Sequence, residues 1–293
     1  MKPDYVFVVG SFRSGTTLVR KILDSSEEIS ICPETQFLGY FISSGYRERI
    51  AEAGDLSSDV NVSKAVEYMY SFKEGYWRWL QKNIDKAYFT ERLLETDRSD
   101  RAILDLLMHL YARGKPIVGE KTPAHLYYVP TLLDWFPNAK VIHTFRDPRA
   151  IFVSELKKKE QPKFAEARHR WLQRFRPLFV FYVLLQVTLT WLRASRLHKQ
   201  YQRLYPDRYR LIKFEDLLTN PEHHLRILSD FLGVELPSQV LESMTSTSSF
   251  AEKRGKPGID TEAVRRWQRH ITPWMNRWFL FWCRKQLGEF GYA

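Results

Sequence analysis

The segment Val8-Val9-Gly10-Ser11-Phe12-Arg13-Ser14-Gly15-Thr16-Thr17-Leu18 constrains the fold more than any other stretch of the chain. The run Tyr5 to Val9 reads as a strand, breaks at Gly10, and gives way after Gly15 to an apolar-periodic helix. A strand that turns through two glycines into a helix aims successive N–H groups into the turn, with the helix's partial positive charge behind them. Such a turn cradles an anion at the carboxyl end of a strand. Nucleoside-triphosphate loops carry a lysine where this chain has Thr16, so triphosphate chemistry is disfavoured. The cation sits inside the loop instead, at Arg13.

Further strand-like runs lie at Lys140 to Phe145 and Tyr209 to Phe214, with a weaker one at Pro116 to Gly119, all separated by long helical patterns. The alternation predicts an α/β fold: a three-layer domain of the phosphate-loop type, with a central parallel sheet and helices on both faces. We read residues 1–293 as one domain, with an aromatic-rich helical insertion at about 39–114 and a C-terminal docking helix within Trp267 to Tyr292. Two cysteines, Cys32 and Cys283, make neither a disulfide framework nor a clustered zinc signature. The apolar run at the N-terminus is shorter than a signal-peptide core, so a reducing, cytoplasmic setting is expected. The longest apolar stretch, Pro177 to Leu192, is interrupted by Gln186, Thr188 and Thr190 and reads as a buried helix, with peripheral membrane association as the other reading.

Charge is unevenly placed. Residues 1–146 hold 19 Lys/Arg against 19 Asp/Glu, and residues 147–293 hold 26 against 15, so the net charge of +11 lies in the C-terminal half. Between Arg149 and Arg210 the balance is 15 against 4. A field of this kind attracts phosphorylated cofactors, polyanions or anionic lipid, or is simply a solvated helix face. No nucleic-acid reading module accompanies it.

Taken with its loop, the chain resembles the sulfotransferases that use 3'-phosphoadenosine 5'-phosphosulfate (PAPS). Phe12-Arg13-Ser14-Gly15-Thr16-Thr17-Leu18 is similar to that family's 5'-phosphosulfate loop, in the form found in the tyrosylprotein and related bacterial branches. The resemblance implies that Arg13, Ser14, Gly15, Thr16 and Thr17 bind the cofactor. His143-Thr-Phe-Arg146-Asp-Pro-Arg149-Ala-Ile-Phe-Val-Ser154 then matches the family's arginine and serine for the 3'-phosphate, and assigns that role to Arg146 and Ser154. Lys253-Arg254-Gly255-Lys256-Pro257-Gly258 is similar to the basic loop that cytosolic members place over the same phosphate, although Ile259-Asp260 replaces the usual Asp-Trp.

The branch also carries a Glu-Thr pair after the first helix, here Glu34-Thr35, whose glutamate acts as general base. Lys121 resembles the lysine that approaches the transferring group. Cytosolic members use a histidine two residues beyond that lysine; this chain has Pro123 there, and His125 two residues later is the alternative base. The implied function is sulfuryl transfer from PAPS to an acceptor hydroxyl on a glycan, lipid, tyrosine or small metabolite, with Glu34, Arg13 and Lys121 as the catalytic set and no metal. Two alternatives stand beside it: a phosphate-loop small-molecule kinase, and a non-catalytic protein that binds polyanions or an anionic membrane surface. Asn61-Val62-Ser63 is a glycosylation sequon, relevant only to a secreted chain.

Overall fold

In the computed structural model, which describes residues 2–39, 45–161, 173–240 and 260–293, five parallel strands form one sheet. They are β1 (Tyr5–Gly10), β2 (Ile29–Cys32), β3 (Ile117–Lys121), β4 (Ala139–Phe145) and β5 (Tyr209–Lys213), in the order β2-β3-β1-β4-β5. Side chains alternate across a strand, so Val6 and Val8 enter one apolar cluster while Phe7 and Val9 enter the other. Both faces are covered, which is why the strands read as unbroken apolar runs in the sequence.

Val6 and Val8 meet helices α1 (Thr16–Asp24) and, much later in the chain, α11 (Pro221–Leu232) through Val19, Ile22, Leu225 and Leu228. The opposite face carries most of the helices. Between β2 and β3 run α2 (Tyr46–Ala51), α3 (Asp59–Ser71), α4 (Gly75–Asn83), α5 (Lys86–Leu94) and α6 (Asp100–Ala112). Their aromatics are core: Tyr76, Trp77 and Phe89 are fully buried. The Trp77 indole Nε1 donates to the Thr35 carbonyl at 3.1 Å, which ties this helical layer to the segment after β2.

α7 (Val129–Trp135) and α8 (Pro148–Glu160) flank β4, and α9 (Arg176–Leu204) precedes β5. The chain then continues through α10 (Phe214–Thr219), α11, α12 (Pro273–Trp282) and α13 (Arg284–Glu289). The stretch Pro177 to Leu192 lies in α9, but it is buried on one side only. Val183, Leu184, Val187 and Trp191 are covered, while Leu178, Phe181, Leu185 and Leu189 face outward. By length and composition α9 is sufficient to cross a membrane, yet half of its most apolar window is packed inside the protein.

The structure alters the expected strands in three ways. Sequence reading missed β2, because Ile29-Ser30-Ile31-Cys32 is only four residues long and follows acidic residues. β3 runs two residues past the weak run, since the buried Glu120 and Lys121 both find polar partners. Phe214 opens α10 instead of ending β5.

Candidate active site at the strand tips

The anion-type loop leaves β1 between β3 and β4, with Val8 opposite Lys121 and Gly10 opposite Thr144. At Gly10 a Cβ would lie 2.5 Å from the Thr144 carbonyl oxygen and 2.8 Å from Ser14 Oγ, so only a bare backbone fits. Gly15 caps α1 with φ 99°, and a Cβ there would meet the Phe214 ring at 2.4 Å. Ser14, fully buried, braces the loop: its Oγ donates to the Ser11 carbonyl at 2.7 Å and lies 2.7 Å from Thr144 Oγ1. Thr16 and Thr17 open α1 and contribute the N–H groups of a helix start, which lack intrahelical acceptors by geometry.

Arg13 holds the loop's apex in a left-handed conformation, φ 67°, uncommon outside glycine. Its Nε donates to Ser154 Oγ at 2.8 Å, joining residues 141 positions apart. Ser154 lies midway along the 13-residue α8, whose start Asp147 caps by accepting the Arg149 N–H at 2.8 Å. Arg146 sits just beyond β4. Its Nη1 donates to the Arg13 carbonyl at 3.2 Å, its Nη2 to the Ala263 carbonyl at 2.9 Å, and its guanidinium lies 4.1 Å above the Phe214 ring. Nε of Arg146 is buried and has no hydrogen-bond partner among the described residues.

Burial pushes the Arg146 pKa down to about 10; the Glu215 carboxylate opposes this and the nearby Arg13 adds to it. The group stays cationic at neutral pH. Glu215 is itself raised by burial, while it accepts the Asp147 N–H at 3.1 Å and the Tyr292 hydroxyl at 2.9 Å. Neither Arg13 nor Arg146 is ion-paired with a carboxylate among the described residues. The two predicted anion-binding segments therefore converge into one cationic corner at the tips of β1 and β4. Lys253, Arg254 and Gly255 lie outside the described residues, although Ala263, shortly beyond them, reaches this corner.

A second polar cluster occupies the tips of β2 and β3. Lys121, 6% exposed, donates from Nζ to Glu34 Oε1 at 2.5 Å, and the Glu34 side chain is 32% exposed. Beneath them the buried Glu120 carboxylate accepts the Thr35 hydroxyl, meets His125 Nδ1, and accepts Thr122 Oγ1 at 3.0 Å. His125 Nε2 accepts the Leu38 N–H at 3.1 Å, which places the ring proton on Nδ1, facing Glu120. Both nitrogens of His125 are thus used within the core.

Sequence reading missed Thr144, Phe214, Glu215 and the role of Glu120. Of these only Glu120 left a signal, a carboxylate beside a lysine at the end of an apolar strand.

A parallel sheet whose first strand opens into a glycine-bracketed anion loop, with a second basic segment at the neighbouring strand tip, defines an α/β protein of the phosphate-loop type. Residues 3–238 match the profile described as "Sulfotransferase family". The chain belongs to that family and is a sulfotransferase-family enzyme.

Among curated relatives it is 27% identical over 281 residues to an uncharacterized protein of Aquifex aeolicus, covering 92% of this chain and 31% of that protein. It is 22% identical over 262 residues to the omega-hydroxy-beta-dihydromenaquinone-9 sulfotransferase Stf3 of Mycobacterium tuberculosis, covering 78% of this chain and 62% of Stf3. The chain thus spans less than two thirds of the length of either. Among solved structures, the sulfotransferase domain of the Synechococcus PCC 7002 olefin synthase aligns with TM-score 0.56 at 20% identity, covering 93% of this chain and 90% of that one. Retinol dehydratase, crystallised with androsterone and the inactive cofactor PAP, aligns with TM-score 0.54 at 14% identity, covering 98% and 81%. These likenesses share the fold.

Proposed function

We propose that the chain transfers the sulfuryl group of PAPS to an acceptor hydroxyl, with Glu34 as general base. The observation that carries this reading is the convergence of Arg13, Arg146 and Ser154: the Arg13 guanidinium bonds Ser154, the Arg146 guanidinium bonds the Arg13 carbonyl, and neither arginine is ion-paired among the described residues. Like charges gathered at a strand tip are stabilised by a multiply charged anion. The orphaned Arg146 Nε is a buried donor awaiting an acceptor, and the Gly10 and Gly15 contacts keep the loop backbone bare for close approach. The residues present fit a nucleotide bearing phosphate at both ends.

In this reading Arg146 and Ser154 hold the 3'-phosphate, while Arg13 and the N–H groups of Gly15, Thr16 and Thr17 face the phosphosulfate. When bound, PAPS supplies an activated sulfuryl group, whose transfer resembles the loose in-line transfer of a phosphoryl group. Arg13 is worth more as negative charge grows on the leaving oxygen than it is in the ground state. Lys121 orients the Glu34 carboxylate through Oε1, and Oε2, which accepts only a long 3.5 Å bond from Gln36 Nε2, takes the acceptor proton. His125 is disfavoured as the base because both its ring nitrogens are bonded in the core.

Relatives of the chain are named for sulfation of a menaquinone derivative and of protein tyrosine. Both present a hydroxyl, the chemistry Glu34 requires. Calorimetric titration tests the reading: adenosine 3',5'-bisphosphate should bind in preference to ATP, followed by transfer of labelled sulfate from PAPS to a hydroxyl acceptor. ATP-dependent phosphorylation without bisphosphate binding would instead establish the kinase alternative.

A further inference from the structure

The outward side of α9 and α12 forms one aromatic surface. On α9, Leu178, Phe181, Leu185 and Leu189 recur at helical spacing and are 48, 43, 38 and 50% exposed. On α12, Trp274, Phe281 and Trp282 are 47, 75 and 53% exposed. Ring contacts join the two helices: Phe181 meets Trp278 edge-on at 5.5 Å, Trp278 meets Trp282 at 5.7 Å, and Trp282 meets Phe281 at 5.2 Å. The Trp278 indole also donates to Thr188 Oγ1 at 3.0 Å, which fixes α12 on α9. Scattered exposed apolar side chains are ordinary, but a continuous aromatic patch on two locked helices marks an interaction surface.

The surface lies on the catalytic side of the molecule. Tyr201 of α9 packs at 5.7 Å against Tyr209, the first residue of β5, so this part of α9 is level with the amino end of the sheet. Ten residues earlier, Trp191 Nε1 donates to the Arg146 carbonyl at 2.9 Å, at the carboxyl tip of β4. The first fifteen residues of α9 therefore continue past the strand tips, by roughly 22 Å at the usual helical rise.

Charge identifies the occupant. Neither α9 nor α12 contains an Asp or Glu; Arg176 stands at the projecting end of α9, where it also pairs with Glu160 at 3.1 Å, while Arg193, Arg196, Lys199 and Arg203 lie farther along the helix, beside the sheet. Arg277, Arg284 and Lys285, beside the exposed tryptophans, are themselves exposed. We propose that this face docks on an anionic phospholipid bilayer, with its tryptophans at the headgroup level and its cations against the lipid phosphates. Indole rings favour that interface, and cations add to the attraction. A second copy of the chain would bring the same cations against one another across a twofold contact, which opposes self-association. Because the inner side of α9 is core, the helix lies on the bilayer and does not span it. The docking itself does not rest on the sulfuryl-transfer reading, since it is measured without donor or acceptor.

The test is co-sedimentation of the full chain with vesicles of phosphatidylglycerol and phosphatidylcholine, against vesicles of phosphatidylcholine alone, at low and high salt. The intact chain should partition at least tenfold more strongly onto the anionic vesicles, and lose that preference at high salt. Replacing Arg277, Arg284 and Lys285 by Gln should weaken anionic-vesicle binding about fivefold per cation. Trp274→Ser with Phe281→Ser and Trp282→Ser should weaken binding to anionic vesicles by a further tenfold or more. Affinity for adenosine 3',5'-bisphosphate reports folding in each variant; if the aromatic variant misfolds, the exposed-cation variant decides. Equal sedimentation with and without vesicles would overturn the proposal. So would a dimer in solution that the aromatic substitutions convert to monomer, which would assign the face to a second copy.

Discussion

The two polar clusters at the strand tips differ in how their charge is balanced. On the β1–β4 side, Arg13 bonds a serine, and Arg146 bonds the backbone carbonyls of Arg13 and Ala263. On the β2–β3 side, Lys121 closes on Glu34, and Glu120 is enclosed by Thr35, Thr122 and His125. The first side leaves both arginines without an ion pair among the described residues, which favours an incoming polyanion. The second side pairs its lysine with one carboxylate and satisfies the other by hydrogen bonds, which suits holding and moving a proton. The two functions stand on adjoining halves of the sheet, since β3 pairs directly with β1.

Four measurements can break or sharpen that contrast. Glu34→Gln should lower sulfuryl-transfer turnover by about two to four powers of ten while leaving the affinity for adenosine 3',5'-bisphosphate unchanged, since only the proton-accepting side is altered. A loss of nucleotide affinity in this variant would mean that the clusters are not separable. Glu120→Ala should cost about 3–5 kcal/mol in urea unfolding, because it strips the partner from a buried His125 and from Thr35. Arg146→Ala should weaken bisphosphate binding by about tenfold to a hundredfold, as expected for one charge-assisted contact, with stability less affected than in Glu120→Ala.

The smallest effect concerns acid. Burial pushes the His198 pKa down to about 4, with the adjacent Lys199 adding to the shift, and burial lowers His143 well below its usual range; both stand beside the Tyr209 hydroxyl. A histidine whose folded pKa is depressed contributes stability above its unfolded pKa of about 6.5, and that stability is lost as pH falls toward the folded value. For His198 alone this is roughly 1 kcal/mol at pH 5.5. Thermal melts from pH 7.5 to 5 should show a falling midpoint, and His198→Asn should flatten the decline.

Much of this arrangement is written locally in the sequence, and the remainder is not. The strand runs at β1, β4 and β5 are visible because parallel strands covered on both faces concentrate β-branched and aromatic residues. The loop from Gly10 to Gly15 is visible because its glycines answer two close approaches, to Thr144 and to Phe214. β2 escaped because four residues are too few to show a period. Glu120 escaped because a carboxylate in a strand ordinarily signals a solvent-facing position, whereas here Thr35 from a distant segment joins the nearby Thr122 and His125 in compensating its burial. The pairing of Arg13 with Ser154 has no local trace; it arises from the sheet order, which sets β1 beside β4. α9 was half legible: its apolar residues were plain, but their division into a covered and an open side becomes evident only against the position of α12.

The Phe214 ring is both a wall and a seat. One edge abuts the place where a methyl on residue 15 would stand, and its face carries the Arg146 guanidinium. The width of that slot is set by a missing side chain in one segment and a planar one in another, so tolerances at positions 15, 146 and 214 are shared. Drift at any one of them must be answered at the other two, and these three sites should vary together or not at all.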